Sequence, residues 1–330
     1  MRLPLPFFDV ALDVHGEVSV LASAKGIRRR GKLWKDIVRA RYLFLLVLPA
    51  LVYYAIFEYG PMFGLVVAFK NYNVFKGIWA SEWVGFKYFR IFFDNPDFWP
   101  LFRNTFLLGF YSIVWGFPAP IVLALLLNEI RHAVFKRVVQ TVSYLPHFLS
   151  NVVVASMVIM LLSPTTGLIN KIITSFGLKP IYFLAFPEYF RTIYVASGIW
   201  QGIGWGTIVY LAALTAIDPH LYESAELDGA GRWRKMWHIS LPGITPVIIV
   251  LLILNVGGLL STGFEKVILL YSPLTYSTAD ILSTYTYRTG LQQGNFSYAT
   301  AIGMFNGVTS FILIYAANLL ARRIKGTSLW

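Results

Sequence analysis

The chain is 330 residues long, 57% hydrophobic and 17% aromatic, with 13% charged residues, against about 25% in ordinary soluble domains. It has no cysteine, which excludes disulfides, thiol chemistry and cysteine-held metals, and it has too few polar side chains to coat a soluble body of this size. The net charge of +12 gathers at the boundaries of apolar runs, so it reads as membrane topology and not as a nucleic-acid footprint.

In chain order, residues 1–24 carry no motif. Asp9 and Asp13 interrupt any signal-peptide core there, so the start reads as retained. Arg28-Arg29-Arg30 precede the first apolar run, where anionic membrane lipid attracts such segments; a solvated topogenic arm is the plainer reading of the same residues. A spanning helix needs about 20 mostly apolar residues. Stretches free of Asp, Glu, Lys and Arg are Tyr42–Phe57 (16), Asn104–Asn128 (25), Val138–Asn170 (33, broken near Ser163-Pro164), Thr192–Ile217 (26), Met236–Phe264 (29) and Thr289–Ala321 (33). The expectation is an all-α integral membrane protein with six transmembrane helices over 41–325, a segment 1–40 before it and a tail 326–330 after it. With the N-terminus inside, the inner segments hold 17 Lys and Arg and the longer outer ones ten, so the positive-inside rule puts both termini in the cytoplasm.

The outer stretch 70–103 is dense in aromatics, among them Tyr72, Phe75, Trp79, Trp83, Phe92 and Trp99. They read either as an interfacial belt or as a sugar-stacking surface. Gly116-Phe117-Pro118-Ala119-Pro120 predicts a kink in the second span. Gly198, Gly202 and Gly206 share one helical face in the fourth and suit close helix packing. Polar and aromatic side chains inside the spans, namely Trp200, Gln201, Trp205, Asn255 and Asn306, are candidates for a sugar pathway, with interhelical contacts as the alternative.

The most informative stretch is the inner loop 218–242. Asp218-Pro219 starts a helix, Gly229 and Gly231 interrupt it, and a short run Arg232–His238 leads to Pro242, which opens the next span. The loop is too short for a core of its own, so it reads as a helical knob offered to a partner. It resembles the EAA loop of ABC importer permeases, whose pattern is E-A-A, three residues, G, nine residues, I-x-L-P. Here Glu223-Ser224-Ala225, Asp228-Gly229-Ala230 and Ile239-Ser240-Leu241-Pro242 fall at that spacing, with Ser224 in place of the middle alanine. Thr284–Arg288, Phe296–Ala301 and Ala317–Arg323 are similar to the carbohydrate-uptake permeases. Leu43–Tyr53 and Ser143–Asn151 are similar to the subgroup that imports complex oligosaccharides, and an alginate-type cargo falls within it.

That resemblance implies type I ABC importer architecture in the bacterial inner membrane. Two permease subunits, usually different homologues, would form the pathway above two ATPase subunits, and a periplasmic or lipid-anchored binding protein would deliver an oligosaccharide. Glu223 would pair with a basic group of the ATPase, Ser224, Ala225, Asp228, Gly229 and Ala230 would seat the coupling helix, and Ile239, Leu241 and Pro242 would join it to the fifth span. ATP and Mg would bind the ATPase chains and no cofactor this one, since G-x-x-x-x-G-K-[ST] is absent. Two rivals weigh less. A proton-coupled carrier or channel usually keeps ionisable groups within its spans, and these have almost none; an enzyme needs a catalytic constellation, and none is visible.

Overall fold

The structure, a computed structural model, describes residues 40–261 and 263–325. The readings of 1–39 and of the tail 326–330 fall outside the described residues. The chain divides into two units, Met1–Met62 and Phe63–Trp330. In the first, helix α1 (Arg41–Tyr53) passes into a wide turn at Tyr54–Tyr59 and a last turn at Gly60–Met62, with no residue buried.

In the second unit, a two-stranded antiparallel sheet pairs Lys70 with Trp83 and Asn71 with Glu82. Helices α2 (Lys87–Phe93), α3 (Phe98–Tyr111) and α4 (Pro118–Asn128) come after it. Next are α5 (Ala133–Tyr144), α6 (Asn151–Leu162), α7 (Leu168–Ser175) and the 29-residue α8 (Pro187–Thr215). The 218–242 segment leads into α9 (Leu241–Gly257), and α10 (Phe264–Leu270), α11 (Leu282–Tyr287) and α12 (Phe296–Lys325) complete the chain.

Among the described residues, four helical runs are long and apolar enough to cross a membrane: Arg41–Phe69, Phe98–Asn128, Arg232–Gly257 and Phe296–Arg323. The pair Ala133–Phe148 and Asn151–Leu162, bent by 103°, makes a fifth if it counts as one span. Helix α8, about 43 Å long at 1.5 Å per residue, also has the length, but Gln201, two indoles and several glycines dilute its apolar content. The run 138–170 breaks at Ser163-Pro164 as expected, between α6 and α7, and the bend adds a second interruption. It falls at Leu149-Ser150, where Pro146 sits in a tight turn and Ser150 caps α6 by accepting from the Val153 amide at 3.3 Å.

Three apolar clusters hold the second unit together. Helix α8 joins two of them. Phe190, Tyr194 and Val195 pack with Leu108, Ala155, Val267 and Ile281 toward its start, and Tyr210 and Leu214 pack with Ile121, Leu125, Met236 and Ile244 toward its end. In the third cluster, Phe92 packs with Leu101, Leu282, Tyr298 and Ile302. The aromatic stretch 70–103 therefore splits by role. Phe92 is fully buried against Phe98 and Phe305, whereas Phe75, Trp79 and Trp83 face outward.

Candidate functional site

The 218–242 knob is built from its caps. The Asp218 carboxylate accepts from the His220 amide at 3.0 Å, satisfying one orphan donor at the start of helix Pro219–Leu227. At its end Gly229 takes φ +74°. The Ala230 amide donates to the Ala225 carbonyl at 2.8 Å and the Gly229 amide to that of Glu226 at 3.0 Å. This pair of bonds is the Schellman closure, which needs a left-handed residue where Gly229 stands. The spacing from Glu223-Ser224-Ala225 to Gly229 is thus a helix of fixed length with its stop.

The knob presents mixed chemistry. Glu223 is 68% exposed and lies 3.2 Å from His220 Nδ1. Leu227 is 90% exposed, and Leu221 and, just beyond this helix, Trp233 are also exposed, so these apolar side chains have no cover among the described residues. Two bonds tie the knob helix to the start of the next helical run. Lys235 donates to Glu226, and the Tyr222 and Ser240 hydroxyls meet at 3.0 Å. The Lys235 ammonium also holds the Glu226 carboxyl below its ordinary range.

Pro242 falls in the first turn of α9, as expected of a residue that opens the span. Helix runs continuously over Arg232–Gly257, with a wide turn at Met236–Ser240 just before Pro242. Proline has no amide hydrogen and its ring crowds the carbonyl four residues back; one wide turn relieves both. Ile239 and Leu241 are half-buried and Pro242 is exposed. Beside them, a Cβ on Gly243 would meet Ile217 Cδ1 at 2.5 Å, so the span is packed tightly onto the turn before the knob.

The pathway candidates separate. Gln201 lines a cavity of about 540 Å³ with Asn151, Gly198, Gly202, Glu265 and Lys266. Its Nε2 donates to the Leu149 carbonyl at 3.2 Å and to Asn151 Oδ1 at 3.4 Å. Trp205 stacks on His147 at 4.5 Å between ring centroids, and Trp200 is exposed outside that cavity. Asn255 lines a smaller cavity with Gly109 and Ser112 and donates to its own helix at Leu251. Asn306 borders a third, beside Tyr287 and Phe296. Sequence reasoning missed Asn151, Glu265 and Lys266. A count that uses charges as span boundaries places the last two at an outer interface, and Lys266 is in fact buried.

Long apolar helices, an exposed helical knob between two of them, and a cavity into which Asn151, Gln201, Glu265 and Lys266 bring polar groups are together what a membrane permease requires. The chain belongs to the family of binding-protein-dependent transport system inner membrane components, whose model matches residues 116–326. It is similar to protein LplB of Bacillus subtilis (strain 168), 48% identical over 95% of this chain and 98% of that one. The polygalacturonan/rhamnogalacturonan transport system permease protein YteP of the same organism is 49% identical over 89% and 92%. A chain in the crystal structure of a bacterial alginate ABC transporter, in complex with an alginate pentasaccharide-bound periplasmic protein, matches with TM-score 0.84 at 46% identity, over 90% of this chain and 100% of that one. The protein is a permease subunit of a binding-protein-dependent ABC importer, multi-pass in the bacterial inner membrane.

Proposed function

We propose that this chain forms half of the translocation pathway for an acidic oligosaccharide. In this reading a second permease subunit, a homologue, supplies the other half. Two ATPase subunits, which carry the ATP and Mg, seat the 218–242 knob, and a periplasmic or lipid-anchored binding protein delivers the cargo. The observation that carries the reading is the knob itself, a helix of nine residues capped at both ends whose Glu223 and Leu227 stand exposed among the described residues. Support for the cargo comes from relatives named for polygalacturonan and rhamnogalacturonan and for import of the acidic polysaccharide alginate.

Glu223 is the group that docking would bury against a basic partner, and breaking a buried pair costs several kcal/mol. Glu223→Ala is therefore expected to leave the complex assembled, to lower uptake at least tenfold, and to abolish the acceleration of ATP hydrolysis by the loaded binding protein. Uptake and stimulated hydrolysis equal to those of the unmodified complex would remove Glu223 from this role. The subunits themselves are tested by gentle purification of the tagged chain and mass spectrometry of what accompanies it. An ATPase with a phosphate-binding loop and a second permease are expected; a chain that stays alone, even when crosslinked through Glu223→Cys, would return a secondary carrier as the better reading.

A further inference from the structure

The 540 Å³ cavity holds a cation that coupling does not use. Lys266 is 6% exposed, and its Nζ has no hydrogen-bond partner among the described residues. No carboxylate among the described residues forms an ion pair with it. Its nearest surroundings are the Tyr194 ring, 5.3 Å from Nζ to centroid, and the bare face of Gly198, where a Cβ would lie 3.5 Å away. A buried ammonium left without a partner is costly, and an ionisable group at membrane depth normally marks a solute or ion path.

The neighbouring acid does not answer it. Glu265 is exposed, and its Oε2 accepts from Asn151 Nδ2 at 2.6 Å. Asn151 Oδ1 in turn accepts from Gln201, so Glu265 is engaged in an amide chain. One side of the cavity therefore offers amide and carboxylate groups of the kind that meet hydroxyls, and another offers a lone cation. A neutral sugar would satisfy the first and leave the ammonium bare, whereas a carboxylate on the sugar ring supplies acceptors for its three donors.

We infer that Lys266 is the counter-charge for a carboxylate on the transported oligosaccharide, and that the cavity it shares with Asn151 and Gln201 is a uronate subsite. The inference rests on the oligosaccharide-pathway reading above. Gly198 lies against the ammonium, where a Cβ would come within 3.5 Å of Nζ.

The test uses the whole complex in liposomes, offered tetramers of galacturonate and of mannuronate, each as free acid and as methyl ester. The unmodified complex is expected to prefer at least one acid over its ester. Lys266→Met keeps the bulk and removes the charge, and the preference should fall by about tenfold, the low end for a hydrogen bond to a charged group. Lys266→Cys should lose it likewise and regain it after alkylation with 2-bromoethylamine, which rebuilds an ammonium at the one cysteine this subunit would then have. An acid preference that survives Lys266→Met overturns the inference and leaves the pathway reading standing; uptake of the esters alone overturns the inference and the acidic cargo, and leaves an oligosaccharide pathway. Loss of the second permease from the Lys266→Met complex would mean that the ammonium pairs with a partner's acid, which also overturns it. Uptake of neither acid nor ester by the unmodified complex removes the oligosaccharide reading and this one together.

Discussion

Glycines that look alike in the sequence do different work here. A Cβ on Gly204 would sit 2.1 Å from the Ser143 carbonyl oxygen, and one on Gly206 would sit 2.9 Å from Pro120 Cγ, while Gly202 meets nothing within 4 Å. Because the Gly204 contact is to backbone, Gly204→Ala should cost roughly 1–3 kcal/mol, as overpacking does, and lower the melting temperature of the purified complex. Gly202→Ala should leave that temperature unchanged and alter uptake alone, since it narrows the cavity. Equal melting shifts for the two would contradict this division. The stripe Gly198, Gly202 and Gly206 is legible as a small-residue face, but spacing alone does not say which glycine meets a neighbour. The tightest, Gly204, lies off the stripe, and Gly202 opens on the cavity. Gly229 is the opposite case. Its place after the knob helix is readable from the sequence, and the structure supplies the reason, a left-handed residue that costs an alanine about 1–2 kcal/mol.

At the scale of the element, prolines set the helix register. Wide turns occur at Tyr54–Tyr59, Ser112–Gly116, Met236–Ser240 and Arg288–Gln292, and the first three each end two residues before a proline: Pro61, Pro118 and Pro242. The wide turn at Ser112–Gly116 falls beside the Gly116–Pro120 cluster, where the sequence predicts a kink. The 103° bend at Leu149-Ser150 is not legible in this way, because counting charge-free residues measures length and is blind to direction; Pro146 and the cap Ser150 are its only local signs. The register shift before Pro242 matters most, since it lies between the knob and the span. Pro242→Ala restores the missing amide and allows an ordinary turn. Removing one residue of register turns the knob by about 100° relative to the span. ATP hydrolysis and uptake should then become uncoupled although the complex still assembles, and a crosslink from Glu223→Cys to the ATPase should shift to new positions. An unchanged crosslink pattern would mean that the wide turn is not what aims the knob.

For the whole molecule, the question is what covers its apolar surface. Within the second unit, only 22%, 17% and 6% of the most apolar stretch is buried in the runs Phe98–Asn128, Arg232–Gly257 and Phe296–Arg323. Lipid can cover such surface, but it cannot satisfy Lys266 or the Gln201–Asn151 chain, which line an open cavity. Two of the segments that carried the family resemblance face inward, with Thr284, Ser297, Tyr298, Ala299 and Ala301 buried, so those two report on a shared core and say little about the solute, whereas Leu43–Tyr53, Glu223 and Leu227 are exposed. What the sequence cannot show is which polar groups converge, because Asn151, Gln201 and Lys266 lie on three helices far apart in the chain. The open side of that cavity and the uncovered apolar surface, and not a pairing of Lys266 with a partner's acid, make the chain dependent on its second permease in the proposed importer. Produced alone, it should extract from membranes as a polydisperse species with a low melting temperature, and co-production with the second permease should sharpen its elution and raise that temperature by several degrees. Lys266→Met removes the charge from the open cavity and should lessen the lone chain's deficit without abolishing it, since the apolar surface stays uncovered. A lone chain as monodisperse and heat-stable as the pair would show that lipid is cover enough and that the cavity is closed by this chain itself.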